Sequence, residues 1–345
     1  MKKKKNILDF SYNKPPLIIA EISGNHNGNK ARFLKLVEKA CICKADLIKI
    51  QTYEPEDITL IQKKNFLKIK HGIWKGKYFH ELYKKACTPY SWHKDAFRIA
   101  KKYNKIIFSS PFSFRAVDFL ENLKVPLYKI ASFEITDLSL IDYIAKKKKP
   151  IIISTGMSEI YEIQRAIKTI ERYHKKIIIL HCVSSYPTKL KETNLKRINF
   201  LKRKFRNYKI GLSDHTNNIF SSIAAIPLEV CAIEKHFNFD NLKTHDSLFS
   251  INPNMLKKLK ELSLDIFESL KIDKKKQDLK KNIKFRRSIY AKKNIKKNQK
   301  ITKKNIVSLR PLVGIGSENF FSIIHKKAKK NINAGSPIYF RDLKK

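Results

Sequence analysis

Eight short apolar runs rich in β-branched residues recur along the first 236 residues and alternate with segments of helical periodicity. Near-continuous apolar strands alternating with helices are typical of a parallel sheet that is covered on both faces. Eight such units, closing near residue 265, predict a TIM-type (β/α)8 barrel and not an open sheet. The predicted strands are residues 16–23, 46–53, 105–110, 126–132, 150–155, 175–183, 208–213 and 230–236. The predicted helices include residues 29–44, 89–103, 113–123, 138–147, 159–173 and 217–227, and a further helix follows residue 257.

The composition of the sequence changes after residue 270. Residues 271–284 are highly charged and predict a linker, and short β-rich runs follow from residue 285 onward. A module of this size is only marginally stable alone. The predicted organisation is therefore a barrel domain over residues 1–270, a charged linker over residues 271–284 and a small β-rich domain over residues 285–345.

Polar side chains stand at the ends of the predicted strands, after the apolar part of each run. In (β/α)8 barrels the C-terminal ends of the strands form the mouth in which active sites lie. The pattern therefore predicts a barrel enzyme. The residues at these positions are Glu21, Lys49, Gln51, Ser110, Lys129, Ser132, Ser154, Ser184, Tyr186, His215 and His236.

The chain has 74 Lys and Arg residues against 30 Asp and Glu, a formal net charge of +44. Such an excess raises the hypothesis of a basic nucleic-acid-binding protein, the alternative from a different functional class. Only twelve of these cations are Arg, the residue that reads phosphate in a planar, bidentate way. The lysines are scattered over most predicted helices and turns. The distribution favours a solvated lysine-rich surface, and we predict no nucleic-acid partner.

The sequence has no apolar run long enough to predict a membrane span. Residues 1–5 are basic, but no apolar segment follows them, so we predict no signal peptide and no membrane partner. The five cysteines form neither an even disulfide framework nor a zinc-knuckle spacing. These features together predict a cytoplasmic protein.

Two histidines follow the seventh and eighth predicted strands, which are neighbours in a closed barrel. The imidazoles of His215 and His236 would converge on one cation and leave positions open for water and substrate. Imidazole combined with oxygen ligands suits Mn, Fe, Co or Zn better than Ca. Asp246 follows nearby and would hold a water bound to the metal. The alternative is that one histidine is a hydrogen-bonded core residue and the other a general acid.

Two lysines and two serines predict a binding site for phosphate and carboxylate groups. Lys49 and Lys129 offer point charges, and Ser132 and Ser154 offer short hydroxyl donors. The alternative is that the lysines are solvated and the serines belong to turns. That alternative is weak for Lys49, because a lysine inside an apolar strand needs an anionic partner.

Two acidic residues stand beside this predicted anion site. Glu21 interrupts the first apolar strand, and Glu134 follows Ser132. Either side chain would serve as an acid or base or would orient the substrate. Structural ion pairing with Lys49 or Lys129 is an equally good interpretation of both.

The second predicted connection between strand and helix, residues 53–87, is unusually long. It contains Trp74, Tyr78 and His80. Long connections in compact domains tend to be lids or binding loops. We therefore predict that this segment covers or lines the site.

Seven short motifs occur in a fixed order along the chain, and with them the sequence resembles the sialic acid synthase family. The C-terminal region, including Leu309-Arg-Pro, resembles the antifreeze-like (SAF) domain of that family. The resemblance covers nearly the whole chain and implies a (β/α)8 barrel followed by a SAF domain. The motifs are Ile18-Ile-Ala-Glu-Ile-Ser-Gly-Asn-His-Asn, Ile48-Lys-Ile-Gln-Thr-Tyr, Ser110-Pro-Phe, Tyr128-Lys-Ile-Ala-Ser, Ser154-Thr-Gly-Met, Gly211-Leu-Ser-Asp-His-Thr and Glu234-Lys-His-Phe.

Two further elements resemble the pseudaminate-forming branch of this family, namely Thr88-Pro-Tyr-Ser-Trp-His and Asp246-Ser-Leu-Phe-Ser. Ser184 points the same way, since the N-acetylneuraminate branch typically has Asn there. This resemblance implies condensation of phosphoenolpyruvate with 2,4-diacetamido-2,4,6-trideoxy-L-altrose to give pseudaminate and phosphate. The alternative within the family is an N-acetylneuraminate or legionaminate synthase.

The resemblance also implies the partners, the metal and the site residues. The substrates would be phosphoenolpyruvate and an N-acetylated hexose, the assembly a domain-swapped homodimer, and the metal a divalent cation, most often Mn²⁺, with Mg²⁺ or Co²⁺ as alternatives. His215 and His236 would bind the metal, and Arg310 of the partner subunit would reach the acetamido group of the sugar. Lys49, Ser110, Lys129, Ser132, Ser154, Ser184 and Ser213 would line the phosphoenolpyruvate site, while Glu21, Gln51, Tyr186 and Asp246 would face the metal-bound water and the sugar.

Overall fold

Eight parallel strands close into a barrel in the computed structural model, which describes residues 8–271 and 280–344. Each strand pairs with the next in sequence, and the eighth pairs with the first. The prediction of a TIM-type barrel is confirmed, and the observed strand ends differ from the predicted ones by no more than two residues. The strands are β1 (Leu17–Glu21), β2 (Leu47–Thr52), β3 (Ile106–Pro111), β4 (Tyr128–Ile130), β5 (Ile151–Ser154), β6 (Ile177–Cys182), β7 (Lys209–Asp214) and β8 (Ala232–His236).

Nine helices belong to the described part of the barrel unit, and two of them were not predicted. α2 lies inside the long second connection and buries only Leu82, and α7 buries only Ile198 and Leu201. Helices this short depend on tertiary packing for their stability, so the local sequence indicates them weakly. The helices are α1 (Lys30–Ile42), α2 (Phe79–Ala86), α3 (Tyr90–Lys102), α4 (Phe114–Asn122), α5 (Leu138–Ala145), α6 (Ile160–Glu171), α7 (Lys196–Lys204), α8 (Phe220–Ala225) and α9 (Pro253–Ser269).

Short polar side chains fix the points at which several helices begin. The side chains of Asn29, Ser113, Asp137 and Asn252 each accept a hydrogen bond from a backbone N–H in the first turn of α1, α4, α5 and α9. Such caps satisfy donors that have no partner within the helix. The caps define where each connection from a strand ends, and so help to hold the loops at the mouth of the barrel.

The strand register brings the polar strand ends to one level of the barrel. Glu21 is paired with Lys49 on one side and with His236 on the other, and Ser213 is paired with Glu234. Because side chains two residues apart in a strand share a face, Glu234 and His236 both point into the barrel. The apolar residues that precede them in the strands pack deeper in the barrel. The polar side chains therefore lie at its C-terminal mouth.

The chain divides into two compact units between Lys271 and Ile272. The second unit has its own core, which includes Ile289, Ile301 and Ile338. Its elements are α10 (Lys280–Ile283), the antiparallel strands β9 (Ser288–Ala291) and β10 (Ile306–Leu309), and α11 (Phe320–Ile323). Within the predicted linker, residues 272–279 lie outside the described residues. Across residues 8–271 and 280–344, we find no helix with the length and apolar character required to span a bilayer.

Candidate active site

A cavity of about 420 Å³ lies within the barrel unit and is lined by residues from the C-terminal ends of the strands and from the long second connection. Most of the residues predicted from the sequence line this one cavity. Its position agrees with the mouth at which (β/α)8 barrels place their active sites. The predicted residues that line it are Lys49, Gln51, Lys129, Ser132, Glu134, Ser154, Tyr186, Ser213, His215, His236 and Asp246.

Lys49 lies between two buried carboxylates at the base of the cavity. Its Nζ is 2.9 Å from Glu21 Oε2 and 2.9 Å from Glu234 Oε1. Ser213 Oγ donates a hydrogen bond of 3.1 Å to the same oxygen of Glu234, and Gln51 Nε2 donates one of 3.2 Å to Glu21 Oε1. Of the two interpretations of Glu21, ion pairing with Lys49 is therefore present in the structure.

The three charges of this group shift one another's pKa values. Burial raises the pKa of Glu21 to about 7, against the opposing effect of Lys49. Burial also acts to raise the pKa of Glu234, but Lys129 and Lys49 together hold it well below its usual range. The pKa of Lys49 is raised, because the two carboxylates outweigh the effect of burial. Lys49 and Glu234 thus remain an ion pair at neutral pH.

Lys129 differs from Lys49 in having no carboxylate within salt-bridge distance among the described residues. Its Nζ donates to Ser154 Oγ at 2.7 Å and to the carbonyl of Ile130 at 3.3 Å. Burial lowers its pKa to about 8, although Glu234 acts in the opposite direction. A buried cation of this kind is stabilised when an anion binds beside it. Lys129 therefore indicates where an anionic substrate would lie.

Small side chains crowd around Gly156, beside Lys129. The backbone N–H of Gly156 donates to Ser132 Oγ at 3.1 Å. A Cβ at Gly156 would lie 2.1 Å from Ser184 Oγ and 3.2 Å from Cys182 Sγ, so only glycine fits without displacing these groups. The buried hydroxyls of Ser110 and Ser184 have no hydrogen-bond partner in the described structure. Buried hydroxyls without partners are costly, and an anion with several acceptor oxygens would satisfy them.

The two predicted metal ligands lie side by side. The ring centroids of His215 and His236 are 5.3 Å apart. His215 Nδ1 is 2.9 Å from the carbonyl of Val183, a contact that requires a proton on Nδ1 and leaves the lone pair on Nε2. His236 Nδ1 is 3.7 Å from Asp246 Oδ2. Burial lowers the pKa of His236 to about 4, so its imidazole is neutral at pH 7, as metal coordination requires.

Burial acts to lower the pKa of His215, but the nearby Cys182, with Sγ 3.7 Å from Nδ1, raises it above its usual value. A cation at this site would therefore compete with a proton on His215. Within the described ranges no group of three or more His, Cys, Asp or Glu side chains is arranged to hold a metal. The donor set fits an open divalent site with two imidazoles and further oxygen ligands from water or substrate, not a closed structural site.

Aromatic side chains form the wall above the histidines. The ring of Tyr186 is 4.4 Å from that of His215, and the ring of Phe249 is 4.7 Å from that of His236. Trp74, from the long second connection, lies 5.9 Å from Tyr186, and its buried indole Nε1 has no acceptor among the described residues. The connection therefore lines the cavity, as predicted. Its other lining residues are Tyr53, Ile58, Ile69, Phe79, Leu82, Tyr83 and Ala86.

Four of the predicted residues do not line the cavity. Glu21 is fully buried behind Lys49, while Ser110 and Ser184 lie near the cavity with buried hydroxyls. Arg310 belongs to the second unit, where its side chain is exposed.

Glu134 lines the cavity, and burial raises its pKa to about 7, against the opposing effect of Lys129. A carboxyl group with a pKa near 7 exchanges protons readily at neutral pH.

Sequence reasoning missed several residues that line the cavity, and three of them contact predicted site residues. Glu234 was not predicted, although its spacing of two from His236 places both side chains on the inner face of β8. Cys182 is the inward residue at the end of β6, and the spacing of the cysteines gives no indication of a place in the site. Phe249 lies in a 3-10 turn after Asp246, and no local pattern indicated that it packs on His236.

The fold and the site together define a (β/α)8-barrel enzyme with two buried lysines beside two histidines in its cavity. The chain belongs to the NeuB family, whose profile matches residues 36–276, and residues 286–344 match the SAF domain. The predicted resemblance to sialic acid synthases with a C-terminal SAF domain is confirmed.

Relatives match almost the full length of the chain. It is 38% identical to the pseudaminic acid synthase of Campylobacter jejuni, over 96% of this chain and 97% of the relative. It is 39% identical to the pseudaminic acid synthase of Helicobacter pylori, over 96% and 98%. It is 36% identical to the N,N'-diacetyllegionaminic acid synthase of Campylobacter jejuni, over 92% and 97%.

A solved structure shares the architecture. The N-acetylneuraminic acid synthetase of Leptospira borgpetersenii, in complex with citrate, superposes with a TM-score of 0.70 at 28% identity. The match covers 78% of this chain and 90% of that one. The fold of the present chain is thus that of a sugar-acid synthase.

Proposed function

We propose that the chain condenses phosphoenolpyruvate with 2,4-diacetamido-2,4,6-trideoxy-L-altrose to give pseudaminate and phosphate, and so acts as a transferase. The main support for the sugar is identity of 38–39% to pseudaminic acid synthases over nearly the whole chain. The main support for the anionic substrate is the buried Lys129, which has no carboxylate partner among the described side chains and adjoins hydroxyls that lack partners.

Phosphoenolpyruvate would occupy the pocket around Lys129 and Gly156. Binding of the trianion would stabilise the charged form of Lys129, whose Nζ already donates a hydrogen bond to Ser154 Oγ. Ser110, Ser132 and Ser184 would supply hydroxyl donors, Ser213 would line the pocket while its hydroxyl donates to Glu234, and Lys49 would add positive charge from below. Lys49 would not need to move, because Glu21 and Glu234 fix its ammonium group in place. The site would hold the reactive enol carbon in a defined position, which is the main contribution to such a condensation.

The residues fit a divalent cation, which we propose to be Mn²⁺, with Mg²⁺ or Co²⁺ as alternatives. His215 and His236 would hold it through their imidazoles, and Asp246 would orient a water beside it. Such a cation supplies Lewis acidity towards an aldehyde oxygen and a template for the two reactants. Asp246 is itself held by the backbone N–H of Gly24 at 3.1 Å, so its carboxylate keeps a fixed direction.

The open-chain sugar would lie against the aromatic wall. C3 of phosphoenolpyruvate attacks the aldehyde carbon, water adds at C2, and the resulting tetrahedral intermediate expels phosphate with cleavage of the C–O bond. Glu134, with a pKa raised to about 7, is suited to exchange a proton near the reacting atoms at neutral pH. Tyr186 and Gln51 face the same space and would contact the sugar hydroxyls.

We further propose that the enzyme works as a domain-swapped homodimer in the cytoplasm. Arg310 of the partner subunit would contact the acetamido group of the sugar. Exposure of the Arg310 side chain in the second unit is compatible with such a role. A dimer would then be required to complete the sugar side of the site.

A legionaminate synthase is the second candidate function, because a relative of that name is 36% identical over 92% of the chain. Both reactions use the same anion pocket and differ in the sugar. The choice between them therefore depends on the residues that would face the sugar, namely the aromatic wall, Gln51 and Arg310 of the partner subunit, and not on the anion pocket.

The decisive experiment supplies phosphoenolpyruvate and Mn²⁺ with each candidate hexose and identifies the product by mass spectrometry. We expect pseudaminate and phosphate from the L-altrose derivative at a kcat/KM well above that for the hexoses leading to N-acetylneuraminate or N,N'-diacetyllegionaminate. His236→Ala is the matched control and should release no phosphate. Preferred turnover of another hexose would overturn the sugar assignment but not the reaction type.

A further inference from the structure

A second buried ion pair lies on the outer face of the barrel, directly behind the two histidines. Lys235 Nζ is 3.4 Å from Asp214 Oδ2, and neither side chain is more than 1% exposed. The two residues are register partners at the ends of β7 and β8. The reaction proposed above does not use them, because they do not line the cavity.

The alternation of side chains explains this position. Asp214 precedes His215, and Lys235 lies between Glu234 and His236. Since successive residues of a strand point to opposite faces, an inward-facing site forces its strand neighbours outward. Asp214 and Lys235 therefore lie beneath α8, where Ser222 Oγ donates to Asp214 Oδ2 at 2.5 Å.

Both members of the pair bind the backbone of Thr216, the residue after His215. The N–H of Thr216 donates to Asp214 Oδ1 at 2.9 Å. Lys235 Nζ donates to the carbonyl of Thr216 at 2.5 Å. The residue is 1% exposed, so water does not compete for these groups. The backbone that follows His215 is thus held by one residue of β7 and by one residue of β8.

The geometry points to a positioning role for this pair: we propose that Asp214 and Lys235 fix the distance and relative orientation of His215 and His236, and thereby set the affinity of the site for its divalent cation. Lys235 connects the strand of one histidine to the backbone beside the other. Groups that orient metal ligands without touching the metal typically change affinity about 10- to 100-fold when they are removed. This inference rests on the metal site proposed above.

Removing one partner alone would leave a buried uncompensated charge and endanger folding. The test variant is therefore Asp214→Leu/Lys235→Met, which replaces both charges by apolar side chains. Asp214→Asn/Lys235→Met is the second variant, because its amide oxygen can still accept from the N–H of Thr216. Ser222→Ala is the matched control, since it removes a hydrogen bond to Asp214 without changing either contact to Thr216.

The full-length variants are titrated with Mn²⁺, and the unbound ion is measured by electron paramagnetic resonance. We expect the affinity to fall about 10- to 100-fold in the apolar double variant, less in the Asn/Met variant, and no more than about twofold in Ser222→Ala. At saturating Mn²⁺ the KM for phosphoenolpyruvate should match that of the wild type, because the anion pocket is untouched. If the pair had a purely structural role, the double variants would unfold at a lower temperature but would bind Mn²⁺ with the wild-type affinity.

The outcomes separate the two proposals. If the wild type binds Mn²⁺, His236→Ala does not, and the folded double variants keep wild-type affinity, the positioning role is wrong and the metal site stands. If the wild type itself binds no Mn²⁺, the metal part of the proposed function is wrong, and the positioning role is overturned with it. If the apolar variant does not fold, the Asn/Met variant decides between the same outcomes.

Discussion

Lys49 and Glu234 form a fully buried ion pair, with 2.9 Å between Nζ and Oε1, although they are 185 positions apart in the sequence. Lys129 is just as buried but has no carboxylate within salt-bridge distance among the residues described. Both lysines act on Glu234, but only Lys49 contacts it directly, and both would serve the anionic substrate.

We expect Lys49→Met to lower the free energy of unfolding by about 3–5 kcal/mol, because it leaves two buried carboxylates without a cation. Lys129→Met should cost less stability than Lys49→Met, because Lys129 has no carboxylate within salt-bridge distance among the described residues and acts on Glu234 only from farther away. Both variants should raise the KM for phosphoenolpyruvate, Lys129→Met by about 10- to 100-fold. Urea unfolding and steady-state kinetics measure the two effects. A large loss of stability in Lys129→Met would contradict the assignment of its charge to the substrate.

Gly156→Ala should weaken the binding of phosphoenolpyruvate. The new Cβ would lie 2.1 Å from Ser184 Oγ and 2.9 Å from Ser132 Oγ, so both hydroxyls must move from the pocket floor. The measurement is the KM for phosphoenolpyruvate at saturating sugar. Gly335→Ala is a control in the second unit, where φ is +82° and no atom lies within 4 Å of the added Cβ. It should cost about 1 kcal/mol of stability and leave this KM unchanged. An unaltered KM in Gly156→Ala would place the anion elsewhere.

Trp74→Ala should raise the KM for the sugar and leave the KM for phosphoenolpyruvate unchanged, because Trp74 lines the aromatic wall and not the anion pocket. Trp74→Phe keeps an aromatic ring but removes the indole N–H, which has no acceptor in the described structure. If that donor binds the sugar, Trp74→Phe should resemble Trp74→Ala; if the ring alone matters, it should resemble the wild type. Equal effects of Trp74→Ala on both substrates would refute a role confined to the sugar.

The barrel should lose stability in mild acid through His93. Burial lowers the pKa of this side chain to about 4, and Nε2 lies 2.8 Å from Thr52 Oγ1. In the unfolded chain the imidazole takes up a proton below about pH 6.5, whereas the folded one does not. Stability therefore falls as the pH drops through 6.5 and levels off below about 4, by about 3 kcal/mol in total for this group.

The check compares urea midpoints between pH 7 and pH 5 for the wild type and His93→Gln, which keeps a donor and an acceptor. The variant should show the smaller acid loss. A pH dependence identical to that of the wild type would show that other groups control acid unfolding.

The fold was largely predictable because its signal is repeated. Eight apolar runs, each bounded by helical periodicity, indicate a closed barrel even when one boundary is uncertain. α7 escaped prediction because its sequence is strongly basic and only Ile198 and Leu201 are buried. Its helical state depends on packing against the barrel, which a local pattern does not contain.

The sequence predicts a site residue only where the residue type is unusual for its position in a predicted strand. Lys49 stands out inside an apolar strand, and the histidines stand out at strand ends. The partner of Lys49 is less visible, because Glu234 lies far away in sequence and only the closure of β8 onto β1 brings it near. The orphaned hydroxyls of Ser110 and Ser184 require coordinates, since a sequence does not show which hydrogen bonds are missing.

The cavity has two walls of different origin. The side chains that would bind the anion come from strand ends around the barrel. The opposite face of the cavity comes largely from residues 53–87. The residues that would bind the anion and part of the surface that would face the sugar are consequently encoded in separate stretches of the gene. Exchanging residues 53–87 with the corresponding stretch of a relative should shift the preference among hexoses while the use of phosphoenolpyruvate is preserved.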